Sequence, residues 1–164
     1  MKKIKNGNYP FLEAVNIKNY ELGLNILYKN NKEMYFHNLF LKLINKVNFE
    51  AVKLLIEYAN KNNIILELNA KDKDGKYPLL EVIKVKNFEL VTLLIEYADK
   101  NGIILNLNKK NEDKYPLLEV IKNNNIEMIK LLMEYANNNS IILELNEKDQ
   151  YGISPILAAL KKKS

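Results

Sequence analysis

Tyr77-Pro78-Leu79-Leu80-Glu81-Val82-Ile83-Lys84 returns without a change as Tyr115-Pro116-Leu117-Leu118-Glu119-Val120-Ile121-Lys122. The two copies lie 38 residues apart, and the register holds without a gap from Tyr77–Asn108 to Tyr115–Asn146. Pro10 and Pro155 open apolar runs in the same way, and Gly7, Gly75 and Gly152 each stand three residues before a proline. Self-similarity at one fixed period means a single supersecondary unit copied along the chain, too small to bury its own apolar face and therefore stacked on its neighbours.

Outward from the identical octapeptide, each unit reads as two helices and an extended finger. Proline at a first helical position needs no amide partner and presets φ, so Pro78 starts a short first helix. Tyr77 is a poor cap, and packing must hold that end. Asn87 is the expected cap of the second helix, with Glu89 in the first turn where a carboxylate suits the helix dipole, and Asn19, Asn48 and Asn125 recur in the same place. Glu89, Thr92 and Glu96 form one thin polar stripe, matched by Glu50, Lys53 and Glu57 and by Glu127, Lys130 and Glu134. The rest of that helix is apolar, so it has to be sandwiched. Asn101-Gly102 supplies a left-handed stop, with Asn62-Asn63 and Asn139-Ser140 as weaker equivalents. The stretch Ile64–Asn69, repeated as Ile103–Asn108 and Ile141–Asn146, alternates like an extended, strand-like segment and leads into charged tips.

The copy before Tyr77 is offset by 39 residues and is degenerate at its start, where Asn38-Leu39 replaces Tyr-Pro. The units are read as a short first repeat 1–36, then 37–75, 76–114, 115–152 and a partial last repeat 153–164, together one repeat domain. The last unit stops after its first helix, at Leu160 before Lys161-Lys162-Lys163. A segment of a longer array is the expectation, with self-association through that open end as the alternative.

Composition closes several routes. The chain of 164 residues has no Cys and one His, His37, which removes disulfide scaffolds, thiolate catalysis and Cys-based zinc sites. No phosphate loop, nucleophile elbow or zinc-ligand spacing is present, and the recurring carboxylates Glu57, Glu96 and Glu134 are copied with the period rather than gathered into one pair. The reading is not an enzyme, with no cofactor and no metal. The net charge of +5 dissolves on mapping, because Lys2, Lys3, Lys5, Lys161, Lys162 and Lys163 hold six positive charges at the two ends and the stretch between them carries −1. Every cationic side chain is Lys and none Arg, so the planar fork that reads guanine edges is missing. The recurring Tyr58, Tyr97 and Tyr135 fit packing, with ring buried and hydroxyl wet, better than stacking on single-stranded nucleic acid. No apolar run approaches a membrane span and no signal peptide is evident, so no membrane and an intracellular, cytoplasmic setting are expected.

With these residues in view, the unit resembles the ankyrin repeat. Gly75-Lys76-Tyr77-Pro78-Leu79-Leu80 stands for the family's turn and its Thr-Pro-Leu-His opening, Asn87–Val91 for the start of the second helix, and Leu93–Ala98 for its end. Gly152-Ile153-Ser154-Pro155-Ile156-Leu157-Ala158-Ala159 is closer still. The resemblance implies an all-α, ankyrin-like helical-repeat solenoid with extended finger loops between helix pairs; another helix-pair solenoid is the alternative. Tyr9, Tyr77 and Tyr115 replace the family Thr, and Leu12, Leu80 and Leu118 its His, so the hydrogen bonds that link successive turns do not carry over. The period of 38 to 39 exceeds the usual ~33, and a longer second helix or an added strand is expected to absorb the excess.

The family resemblance also implies a non-enzymatic protein–protein interaction scaffold that grips another protein with its concave face and fingertips. The expected contact residues are Lys71, Asp72, Lys73, Asp74 and Lys76 on one tip, Lys109, Lys110, Glu112 and Lys114 on the next, and Lys148, Asp149 and Gln150 on the last. Glu81, Lys84, Glu119, Lys122 and Asn123 join them from the exposed side of the first helices. A purely structural segment of a longer array is the alternative function, and nucleic acid ranks behind both.

Overall fold

Proline decides where three of the described helices begin, and asparagine caps three more. The computed structural model describes residues 33–46, 48–110 and 114–161, with side chains from residue 39 onward. They form seven helices: α1 (Glu33–Asn45), α2 (Phe49–Lys61), α3 (Pro78–Lys84), α4 (Phe88–Lys100), α5 (Pro116–Lys122), α6 (Ile126–Asn138) and α7 (Pro155–Lys161). The readings of Gly7 to Pro10, Asn19, the His37 side chain, Glu112 and the lysines of the two tails at 2, 3, 5, 162 and 163 lie outside the described residues.

Helices α3, α5 and α7 each start at the proline and run for 7 residues. The residue before a proline is driven out of the α region, and Tyr77 and Tyr115 are accordingly extended, at φ −141 and −146. Where Asn38-Leu39 stands in place of Tyr-Pro, nothing blocks the upstream turn, and α1 runs for 13 residues from Glu33, across the expected boundary at 36. The second helices α2, α4 and α6 are all 13 residues long. The side chains of Asn48, Asn87 and Asn125 accept the amides of Ala51, Leu90 and Met128 at 3.0 to 3.1 Å, capping each helix as the sequence predicts. At the other end Asn63, Gly102 and Ser140 take positive φ of 54, 64 and 53, and Asn62, Asn101 and Asn139 return their side-chain amides to the carbonyls of Tyr58, Tyr97 and Tyr135. Lys86 and Asn124 also turn left-handed between the two helices of a pair, which nothing in the sequence announced.

The chain divides into two compact units, Met1–Glu67 and Leu68–Ser164. In the first, α1 packs against α2, and Phe40, Leu43, Ile44, Val52, Leu55 and Ala59 are buried. In the second, α3 packs on α5 and α5 on α7, while α4 packs on α6, so first helices stack on first helices and second on second. Tyr115, Leu118 and Ala158 form one buried cluster across two successive first helices, with Ile121 and Ile153 against it.

No strand is found among the described residues, so an added strand does not absorb the longer period. The segments 64–69, 103–108 and 141–146 are irregular, turning or bending at their last two residues, and they pair with side chains of the neighbouring repeat rather than in a backbone ladder. The Asn69 side chain donates to the carbonyl of Ile104 at 2.7 Å and accepts the amide of Asn106 at 3.0 Å. Asn108 repeats both bonds one unit on, with Ile142 and Glu144 at 2.7 and 3.1 Å. A carboxamide offers a donor and an acceptor side by side, the pair a strand edge would have presented.

Candidate protein-interaction surface

The first and last tips are built on turns that repeat atom for atom. Asp72 Oδ1 accepts the amides of Asp74 and Lys76, its own amide donates to Lys76 O, and Gly75 closes the turn at φ 74. Asp149 does the same with Tyr151 and Ile153, closed by Gly152 at φ 73. A carboxylate that accepts two backbone amides locks its own turn. The middle tip has Lys110 and Asp113 in the Asp and Gly places.

That one exchange redirects the first-helix lysines. Lys122 reaches forward to Asp149 Oδ2 at 2.8 Å, but the Lys84 ammonium would meet another lysine at the corresponding place and instead folds back onto Glu81 at 2.6 Å. Glu81 is thereby buried at 5 % exposure and Asp149 at 7 %, so neither sits on the exposed side where the sequence reading put them. The Lys122 ammonium beside Asp149, aided by the Ile153 and Tyr151 amides, holds its carboxyl below the ordinary value of 3.8 against the opposing effect of burial.

The tyrosines that displaced the family Thr supply links of their own. The Tyr77 hydroxyl donates to Lys109 O and the Tyr115 hydroxyl to Glu147 O, so each ring, buried at the start of a first helix, pins the next tip. Burial, with Glu81 adding to it, pushes the Tyr77 hydroxyl far above its ordinary value, and burial with Glu147, Asp149 and Glu144 pushes Tyr115 to about 12. Lys109 and Lys110 lie 5.9 Å from the centres of these two rings, within cation–π range. Tyr135 is also bonded rather than wet: its hydroxyl accepts the Leu105 amide at 2.9 Å and donates to Ile103 O at 3.2 Å. Desolvation raises its pKa, partly offset by the Leu105 amide. These tyrosines, Tyr77 and Tyr115 reaching forward and Tyr135 back, were missed as links; their recurrence at the period was the signal that could have found them.

The remaining expected contact residues divide by their bonds. Lys71 Nζ donates to Lys110 O at 2.7 Å, Lys109 Nζ to Asn69 O at 2.8 Å, and Lys110 pairs with Glu147, so these lysines cross-link successive tips. Lys73, Asp74, Lys114, Lys148 and Gln150 are exposed at the tips, Lys76 is half-buried, and Glu119 and Asn123 are half-buried on and after α5. Among the described residues no group of three or more His, Cys, Asp or Glu could hold a metal ion, and no helix is long and apolar enough to cross a membrane.

A family model of ankyrin repeats in three copies matches residues 39–142. The chain belongs to the ankyrin repeat family, and its all-α helical-repeat fold is that of the family. Ankyrin repeats are generally protein–protein interaction modules and typically non-enzymatic. A search of curated proteins found no match to the chain.

Proposed function

We propose that the chain is a non-enzymatic scaffold that binds another protein through its tips, with Lys73, Asp74, Lys114, Lys148 and Gln150 as the contacting side chains and Asn123 beside them. The supporting observation is a division of labour within each tip. Asp72 and Asp149 lock their own turns, and Tyr77, Tyr115, Lys71, Lys109 and Lys110 bond one tip to the next, while the five tip residues are exposed on that frame. A pre-ordered surface loses little entropy on binding, and specificity grafted on rigid repeats needs only the tips to vary. Three of the five are lysines, so the partner surface is expected to be acidic, with the charges acting on encounter more than on affinity.

Affinity capture with the intact protein identifies the partner, and titration with that purified partner measures the surface. Replacing Lys73, Lys114 and Lys148 together by Ala weakens binding by about tenfold and flattens its salt dependence. Replacing Glu57, Glu96 and Glu134, on the polar stripe of the second helices, leaves it unchanged. Equal loss from both sets refutes the tip surface.

A further inference from the structure

The outer face of α6 forms one wall of an apolar groove of about 720 Å³, whose floor and far side come from α5, the finger at 141–145 and α7. Ile121, Ile126, Ile129, Met133, Leu145 and Ile156 line it. One period earlier the matching residues of α3, α4, their finger and α5 make the same floor, and there α6 packs onto it. The consequence is visible residue by residue: Ile95 is 7 % exposed and its counterpart Met133 54 %, Leu107 1 % and Leu145 42 %. The polar part of the interface is open too. At the earlier position the Leu105 amide and Ile103 carbonyl are both taken by the Tyr135 hydroxyl. Among the described residues their counterparts, the Leu143 amide and the Ile141 carbonyl, have no protein partner.

We propose that this groove docks one amphipathic helix of a partner protein, seated as α6 is seated on α4. The groove continues an interface already present in the molecule, and that interface states what fits: apolar residues spaced i, i+4 as Met128 and Leu132 are, then a Tyr at i+7 like Tyr135. The Tyr hydroxyl accepts the Leu143 amide and donates to the Ile141 carbonyl. A second copy fits less well, because two hollows facing each other leave a void, and the described helix faces of this kind, Leu90 and Leu94 or Met128 and Leu132, are buried inside their own unit.

The probe is a synthetic peptide of residues 125–140, made helical by a lactam between Lys130 and Glu134, which are exposed and i, i+4 on the face away from the groove. Titrated into the intact protein it binds one to one, with Kd on the order of 100 μM. A Tyr135→Phe peptide binds about fivefold more weakly. Met133→Glu in the protein weakens binding at least tenfold without moving the melting temperature, since Met133 is exposed. No saturable binding up to about 1 mM, or binding indifferent to Met133→Glu, overturns the proposal. So does a mass that rises with concentration to a dimer and returns to the monomer in Met133→Glu, which would give the groove to a second copy.

Discussion

Helices α4 and α6 were drawn from one pattern and ended in different environments. Both are capped by Asn, both carry a polar stripe, and both have Glu-Tyr-Ala in their last turn and a half. Yet α4 has α6 across its outer face, whereas that face of α6 lines a groove. A sequence pattern states which side of a helix seeks burial; the presence of a neighbour decides whether it gets it. The cost of a polar substitution therefore differs between equivalent positions, and the pair of helices offers an internal control.

The widest separation is expected at Ile95 and Met133. Ile95→Asp puts a carboxylate at a buried site and lowers the free energy of unfolding by about 3 kcal/mol or more, while Met133→Asp stays within about 0.5 kcal/mol. Chemical denaturation of both variants checks this, and similar losses would break the equivalence of the two faces. A smaller contrast lies in the tyrosines: Tyr135→Phe orphans the buried Leu105 amide and costs about 2 kcal/mol, again by denaturation. The carboxamide pair is gentler still. Asn108→Ala removes two bonds to the next finger and costs about 1 kcal/mol, whereas Asn146→Ala, whose side chain bonds nothing among the described residues, costs close to nothing.

Two pH limits sharpen the same comparison at the tips. Tyr115 is held neutral to about 12 against an ordinary 10.0, so the folded state binds the proton more tightly than the unfolded one. Its contribution is intact below pH 10 and is lost as pH rises through about 12. Asp149 has the opposite sign: its pKa is depressed, so its contribution is present above 3.8 and fades as pH falls below that. Melting curves across both windows should show the two losses, with Tyr115→Phe removing Tyr115's share of an alkaline loss to which Tyr77 and Tyr135 also contribute, and Asp149→Asn removing the acid one. Lys73→Ala, on an exposed tip, should leave every such curve where it was.

Much of the fold could be read from the chain because its signals are local. Proline starts, asparagine caps and left-handed stops act within four residues, and those predicted among the described residues were found in place. The tip surface was less legible. Asp72 and Asp149 looked like solvent-facing charges, but a carboxylate's choice between water and two amides of its own loop depends on backbone geometry that composition does not report. Glu81 looked exposed for a similar reason, and is buried with the Lys84 ammonium folded back onto it.

What the sequence alone determined is the repeating helix pair, since periodicity and capping are properties of neighbouring residues in one stretch of chain. What only the tertiary structure decided is how the copies are joined: tyrosine hydroxyls and asparagine carboxamides reaching across 30 or more residues to backbone groups of the adjacent unit. Such bonds link residues close in space but distant along the chain. Their partners are peptide groups, which every residue carries alike, so the recurring tyrosines and asparagines mark one end of each bond and nothing in the sequence marks the other.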